Sequence, residues 1–267
     1  MLIDRSHRSW AIGSAAALAV SAAAYIPYAA SSAGPSGGSA MGLSYGVAGF
    51  AAMAFAGLLS VRKKFPIWRI GRAQTWMRGH LWLGALSFPL IGFHAGFAAG
   101  GPLTRALMWL FAIVFVSGVA GAALQHVLPR LMLERVPMET IYEQIPHVRL
   151  QLVDEADAIV AAVAAEGTAL ADFYARDMRP FVERPDARHW LADARQAQGR
   201  FAQLRTVLPA ALHPVVDDLA SLCEEERQLS RQLRLHRLLH GWLLVHVPLS
   251  FALLLLSVVH IVMAVRY

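Results

Sequence analysis

The sequence predicts an all-α integral membrane protein, a helical bundle of about five spans with a helical insert before the last. Three observations carry this. The 267-residue chain is 57% hydrophobic and only 16% charged, against about 25% charged residues in soluble domains, and its mean hydropathy is +0.46. Its apolar runs reach the roughly 20 residues that cross a bilayer as a helix. Its carboxylates are segregated: after Asp4 none occurs until Glu134, and the other seventeen lie between Glu134 and Glu226. Lipid is therefore the expected solvent of the first half and of the C-terminal run, and water that of the stretch between. No strand-like alternation persists, and no internal repeat is visible.

The elements follow in order. The first apolar run, about 10–30, is Ala-rich and preceded by Arg5 and Arg8. The small residues Ala29 to Ala33 would suit cleavage of a signal peptide, but the length suits a retained span, which is the expectation. A Ser/Gly/Pro stretch, Ser31 to Ser39, then lies on the outer side. The second run, about 41–61, places Gly42, Gly46, Gly49 and Gly57 where helices pack closely. Arg62, Lys63, Lys64, Arg69, Arg72 and Arg78 form a basic, hence cytoplasmic, loop. The third run, about 79–98, travels outward to a turn at Gly100, Gly101 and Pro102. The fourth, about 103–128, returns and ends at Pro129 and Arg130.

Residues 1–128 thus form a membrane domain, and residues 129–238 a charged insert. In the insert, Ile141 to Ala165 and Val215 to Leu238 carry apolar residues at three- and four-residue spacing, as amphipathic helices do. Pro180 and Pro185 mark a loop between helical pieces. Residues 239–267 form the fifth span and complete the bundle. With the basic loop inside, the N-terminus and the insert are cytoplasmic, as in a multi-pass protein of a bacterial inner membrane. The formal charge of +6 sits between apolar runs rather than on a basic face, which argues against nucleic acid. A single cysteine, Cys223, excludes a disulfide framework, a zinc cluster and a Cys-ligated iron–sulfur centre; it reads as a small residue on a helix.

Eleven histidines are present, and four form a pattern. His80 and His94 lie fourteen residues apart on the third span, and His246 and His260 fourteen apart on the fifth. Fourteen residues of helix rise about 21 Å and return to within roughly 40° of the same face. Each helix thus carries two imidazoles on one stripe, near opposite edges of the hydrocarbon layer. With one span and the insert between them, the third and fifth spans run parallel. His80 is then level with His246, and His94 with His260. Antiparallel spans would exchange the partners. Two levels of facing imidazoles are what two bis-histidine b haems need; a lone membrane histidine is as well explained by a proton relay.

The surroundings are less specific. Gly84, Gly92 and Gly96 would let a flat macrocycle approach the third span. Arg72 and Arg78 are candidates for the propionates of the inner haem, and Arg105 or Arg266 for those of the outer one. Trp76, Trp82, Trp109 and Trp242 read as interfacial aromatics. His126, at the end of the fourth span, is a candidate neighbour of a haem edge or a quinone. His240 faces away from the stripe, and His236 with His240 reads as a wetted pair. His7, His147, His189 and His213 read as solvent-side residues.

The four histidines on two parallel spans, with one span between, resemble the transmembrane domain of ferric reductases and NADPH oxidases, in the membrane part only. The resemblance implies two stacked b haems held by His80, His94, His246 and His260. That family commonly has six spans and a nicotinamide-binding domain, whereas five are counted here and no G-x-G-x-x-G turn occurs in the sequence. The expected function is transmembrane electron transfer as a subunit or partner of a redox chain. Its partners would be an extracytoplasmic cytochrome or Fe–S protein, or the quinone pool. A quinol or metal oxidoreductase with substrate at a haem edge is the alternative, and a haem-free proton-relaying transporter or sensor is the alternative from another class.

Overall fold

The structure is a computed structural model that describes residues 5–32, 34–64, 71–98, 100–135, 142–163 and 167–266. Among the described residues it is all-helical, with no strand. The chain divides into two units, Met1–Val127 with Leu239–Tyr267, and Leu128–Leu238. The boundaries fall where the charge distribution changes, since no described residue of the first unit is Asp or Glu.

The first unit is built from α1 (Arg8–Ala29), α2 (Ala40–Lys64), α3 (Ala73–Ala95), α4 (Pro102–Arg135, to Val127 in this unit) and the end of a long C-terminal helix. Among the described residues four helices are long and apolar enough to cross a membrane: Arg5–Ala29, Ala40–Leu59, Pro102–Leu128 and Ala210–Arg266. α3, the third of the five expected spans, has 23 residues but is not among the four. Arg78, His80, Pro89 and His94 lower its hydropathy, so the residues that would make it functional also weaken its membrane signature. It packs chiefly against α2 and also against α1. Of the basic loop, residues 65–70, with Arg69, lie outside the described residues, as do both ends of the amphipathic segment, Ile141 and Ala165. Arg62, Lys63 and Lys64 belong to α2 and Arg78 to α3, so the loop is shorter than expected.

Small residues set the distances inside this bundle. A methyl group on Gly49 would meet Ile91 of α3 at 2.8 Å, and one on Gly57 would meet Leu254 at 2.5 Å. α1 is held by aromatics: Tyr25 stacks on Phe93 at 4.5 Å, and the Tyr45 hydroxyl donates to the Ser21 carbonyl at 2.8 Å. α3 ends just past His94, where the Gly96 N–H bonds the Phe93 carbonyl and the Phe97 N–H the Gly92 carbonyl. Gly96 has φ +58, a conformation glycine adopts at little cost, and such a residue commonly closes a helix. It is a cap rather than a gap for a macrocycle, and Gly92 faces Phe97. α4 also departs from expectation, continuing through Pro129 to Arg135 instead of ending there.

The second unit contains α5 (Ile145–Ala162), α6 (Thr168–Phe173), a π-helical turn (Tyr174–Met178), α7 (Arg179–Glu183), α8 (Ala194–Val207) and the start of α9 (His213–Arg266). Pro180 lies within α7 and Pro185 beyond it, so the loop is shorter than expected. Ile145, Leu170, Met178, Leu191, Val216 and Leu219 centre a continuous apolar core. Within it Glu226, fully buried, accepts two hydrogen bonds from Arg149, both at 2.9 Å. Cys223 is buried too, and burial pushes its thiol up to about 11, so it stays protonated and inert.

Candidate functional site

The four histidines form two pairs in the first unit. The ring centroids of His80 and His246 are 6.4 Å apart, with planes at 80°. Those of His94 and His260 are also 6.4 Å apart, at 74°. α3 and the last part of α9 therefore run parallel, and each imidazole meets its partner at the same level. The distance has a chemical meaning. Two imidazoles binding one metal ion from opposite sides need two metal–nitrogen bonds of about 2.0 Å plus two ring radii, about 6.3 Å in all. The observed separation matches that span in both pairs, and it also lies within the range of about 4.5–7 Å in which rings pack edge to face.

The outer nitrogens explain how the rings are held. His80 Nδ1 lies 2.9 Å from the Ala56 carbonyl, and His94 Nδ1 lies 2.8 Å from the Gly42 carbonyl. A carbonyl only accepts, so each Nδ1 carries the proton, and in the neutral ring Nε2 keeps its lone pair. This is how metal-binding histidines are usually oriented. The two carbonyls are themselves fourteen residues apart on α2, running against the fourteen of α3. Gly46 makes the approach feasible, since a Cβ there would come within 2.7 Å of His94 Nδ1. Gly37, in the loop before α2, comes almost as close to the same ring.

His246 is held differently. Its Nδ1 lies 3.3 Å from the Ser117 hydroxyl of α4, and its ring stacks on Trp242 at 5.1 Å. Trp242 in turn donates from Nε1 to the Ser117 carbonyl at 2.8 Å. Gly121 makes room for that indole, because a Cβ there would collide with it. The role of Trp242 is therefore to brace His246, not only to mark an interface.

Beside the His80–His246 pair lies a cavity of about 310 Å³, lined mostly by apolar side chains, with Gly57, Gly84 and Gly118 in its wall. A Cβ on Gly118 would reach 3.5 Å from His246 Cε1. Gly84 meets only the Ala56 methyl at 3.9 Å, so of the three glycines singled out on α3 it alone opens space at the site. A flat, largely apolar group carrying one metal ion fits this donor set. Among the described residues no three of His, Cys, Asp and Glu gather to chelate a bare ion.

The remaining candidates are scattered. Arg72, Arg105 and Arg266 are exposed and Arg78 half-buried. Arg78 precedes His80 by two residues, about 200° around the helix. His7 corrects an expectation: it is buried, 5% exposed, and accepts from Trp82 Nε1 at 3.2 Å. His126 Nδ1 is buried without a hydrogen-bond partner among the described residues. His189 caps a short turn by accepting from the Leu191 N–H, His213 Nε2 lies 3.0 Å from the Arg205 carbonyl, and His147 is exposed. Sequence reading missed Ala56, Ser117 and Trp242 as supports. Gly46, one of the small residues on the second span, was the visible signal for the His94 seat, since a helix position without a Cβ admits a ring as well as another helix. Compared with known protein families, curated proteins and solved structures, the chain finds no match.

Proposed function

We propose that this chain carries electrons across a membrane through two b-type haems, one held by His80 and His246 and the other by His94 and His260. The observation that supports it is the twofold 6.4 Å imidazole separation at two levels of one bundle, about 21 Å apart along α3. Bound there, each haem supplies a one-electron iron couple whose six-coordinate state favours outer-sphere transfer over oxygen binding.

The chain's own residues do the rest. Ala56 and Gly42 hold the protons of His80 and His94 at Nδ1 and aim the opposite nitrogens inward. Ser117 and Trp242 fix His246. The apolar wall of the cavity keeps water from the inner pair, which lowers the reorganisation accompanying transfer. Arg72 and Arg105 remain candidates for propionate contacts, while Arg78 is offset from the stripe. A bacterial inner membrane with the insert on the cytoplasmic side fits the basic run 62–78. A cytochrome, an Fe–S protein or the quinone pool would exchange electrons with the chain.

The test is a pyridine haemochrome assay against protein concentration, with reduced-minus-oxidised spectra. Two haems per chain are expected, and one each in His80→Ala, His246→Ala, His94→Ala and His260→Ala, with folded yield checked by size exclusion. Fewer than two in the wild-type protein would sink the proposal and favour a proton-relaying transporter. One observation favours quinol oxidation as a second reading, the His126 Nδ1 that has no hydrogen-bond partner among the described residues. Quinol should then reduce the haems of the wild-type protein but not those of His126→Ala.

A further inference from the structure

The second unit contains a cavity of about 300 Å³ that the electron-transfer reading does not use. Five arginines line it, Arg149, Arg227, Arg231, Arg234 and Arg237, against one carboxylate, Asp186. The bias is local. From Leu128 to Leu238 the chain has fourteen arginines, no lysine and seventeen carboxylates, so an average wall would be slightly acidic.

Two of the arginines are fixed in place. Arg149 is held by its paired bonds to buried Glu226. Arg227, 6% exposed, donates to Glu224 at 2.9 Å and to the Leu191 carbonyl at 2.9 Å. Their charges are compensated, and they stiffen the wall. Arg231, Arg234 and Arg237 follow at three-residue spacing along one side of α9. Arg234 and Arg237 are exposed, and neither joins an ion pair among the described residues. Crowding like charges around a concavity is unfavourable unless an anion enters it. Guanidinium groups suit phosphate in particular, because their planar fork matches two oxygens at once. Phe181 and Leu233 add an apolar wall, which suits an organic phosphate better than a bare ion.

We propose that this cavity binds a phosphorylated organic anion, with Arg234 and Arg237 as its principal contacts. A soluble phosphate ester and a phospholipid headgroup share that chemistry. The test uses full-length protein in nanodiscs, with pyrophosphate as the soluble probe in calorimetry at low and high salt. Phosphatidylglycerol and phosphatidylcholine nanodiscs, compared by thermal shift of the insert, probe the lipid. Arg234→Glu with Arg237→Glu is expected to weaken binding by roughly tenfold or more. A control of equal charge change away from the cavity, Arg176→Glu with Arg195→Glu, should retain it.

Pyrophosphate binding lost only in the cavity variant assigns a soluble ligand. Stabilisation by phosphatidylglycerol alone, lost only in that variant, assigns a headgroup. No binding by either probe, or equal loss in both variants, overturns the proposal. Circular dichroism confirms that each variant is folded, and haem content reports separately on the first unit, so failure here leaves the electron-transfer reading untouched.

Discussion

The two units solve opposite solvation problems with the same element. In the second unit apolar side chains turn inward to a continuous core around Leu170, Met178 and Leu219, and charges are paired or face water. In the first unit the buried clusters are small, such as Tyr45 with Leu90 and Phe93. Large apolar residues point outward instead: Trp109 is 73% exposed and Leu244 75%. In water that surface would drive aggregation; in hydrocarbon it costs nothing, and helices must then cohere through small residues, close packing and hydrogen bonds. The first unit accordingly spends its glycines on seats for Ile91, Leu254 and His94. Burial means exclusion of water in one unit and closeness of fit in the other.

The largest effect should come from breaking the buried ion pair of the second unit. Arg149→Met leaves Glu226 with the Ser230 hydroxyl but without its charged partner and should cost about 3–5 kcal/mol, whereas Arg149→Met with Glu226→Leu should recover most of it. Denaturation followed by circular dichroism measures this, and with haem bound as proposed its content should not change. If it does, the units are energetically one.

A substitution at matched exposure sharpens the contrast of solvents. Val116 of α4 is 64% exposed and Leu150 of α5 61%. Val116→Arg should oppose membrane insertion by about 2.5–3.5 kcal/mol, while Leu150→Arg should stay within about 0.5 kcal/mol. Membrane-fraction yield and thermal stability report the two values. Similar costs would mean that α4 does not face lipid.

A smaller effect separates the two histidine pairs. With Nε2 committed to the proposed haem, His246 Nδ1 carries the proton and the Ser117 hydroxyl accepts it. Removing that hydroxyl takes away a bond worth about 1 kcal/mol or about 40 mV for a one-electron couple. Ser117→Ala should raise one of two midpoint potentials by up to that amount, because a less basic imidazole favours ferrous iron. Ser117→Thr should restore it, and the other potential should hold.

The smallest effect is a pH dependence confined to the second unit. The hydrogen bond from Arg179, helped by that from Tyr174, holds the Asp157 carboxyl below its ordinary range. The stability it contributes is present above that range and lost as pH falls through its folded value. Burial does the reverse to Glu226, pushing it up against the opposing pull of Arg149; its contribution is present at low pH and fades as pH rises. Asp157→Asn should therefore flatten the acid limb of the stability profile, and Glu226→Gln the limb above it. The exposed Asp157–Arg179 pair makes the first change small.

Much of this was legible because lipid writes a coarse pattern. A run of apolar residues between basic ones needs no tertiary knowledge to read, and a fourteen-residue histidine spacing translates directly into one face of a helix. The Arg149–Glu226 bond was not legible, since 77 residues separate the partners and both occur among many charges of either sign. His7 was misread for a similar reason: its neighbours in sequence are polar, and Trp82, which makes its burial tolerable, lies 75 residues away. α3 shows the reverse, a helix whose imidazoles dilute the apolar signal that marks the other four.

By itself, the sequence determined that this chain is helical, that its long apolar helices belong in lipid, and that each of two helices carries two imidazoles on one stripe. Periodicity and transfer energy act residue by residue, so a linear string contains them. The pairing of His80 with His246 and of His94 with His260 was already expected from reading the third and fifth spans as parallel. Only the tertiary structure decided how far apart the rings stand and which carbonyls and hydroxyl hold their outer nitrogens. Those depend on how closely α2, α4 and α9 approach their neighbours, and that approach is set by side chains facing one another from distant parts of the chain.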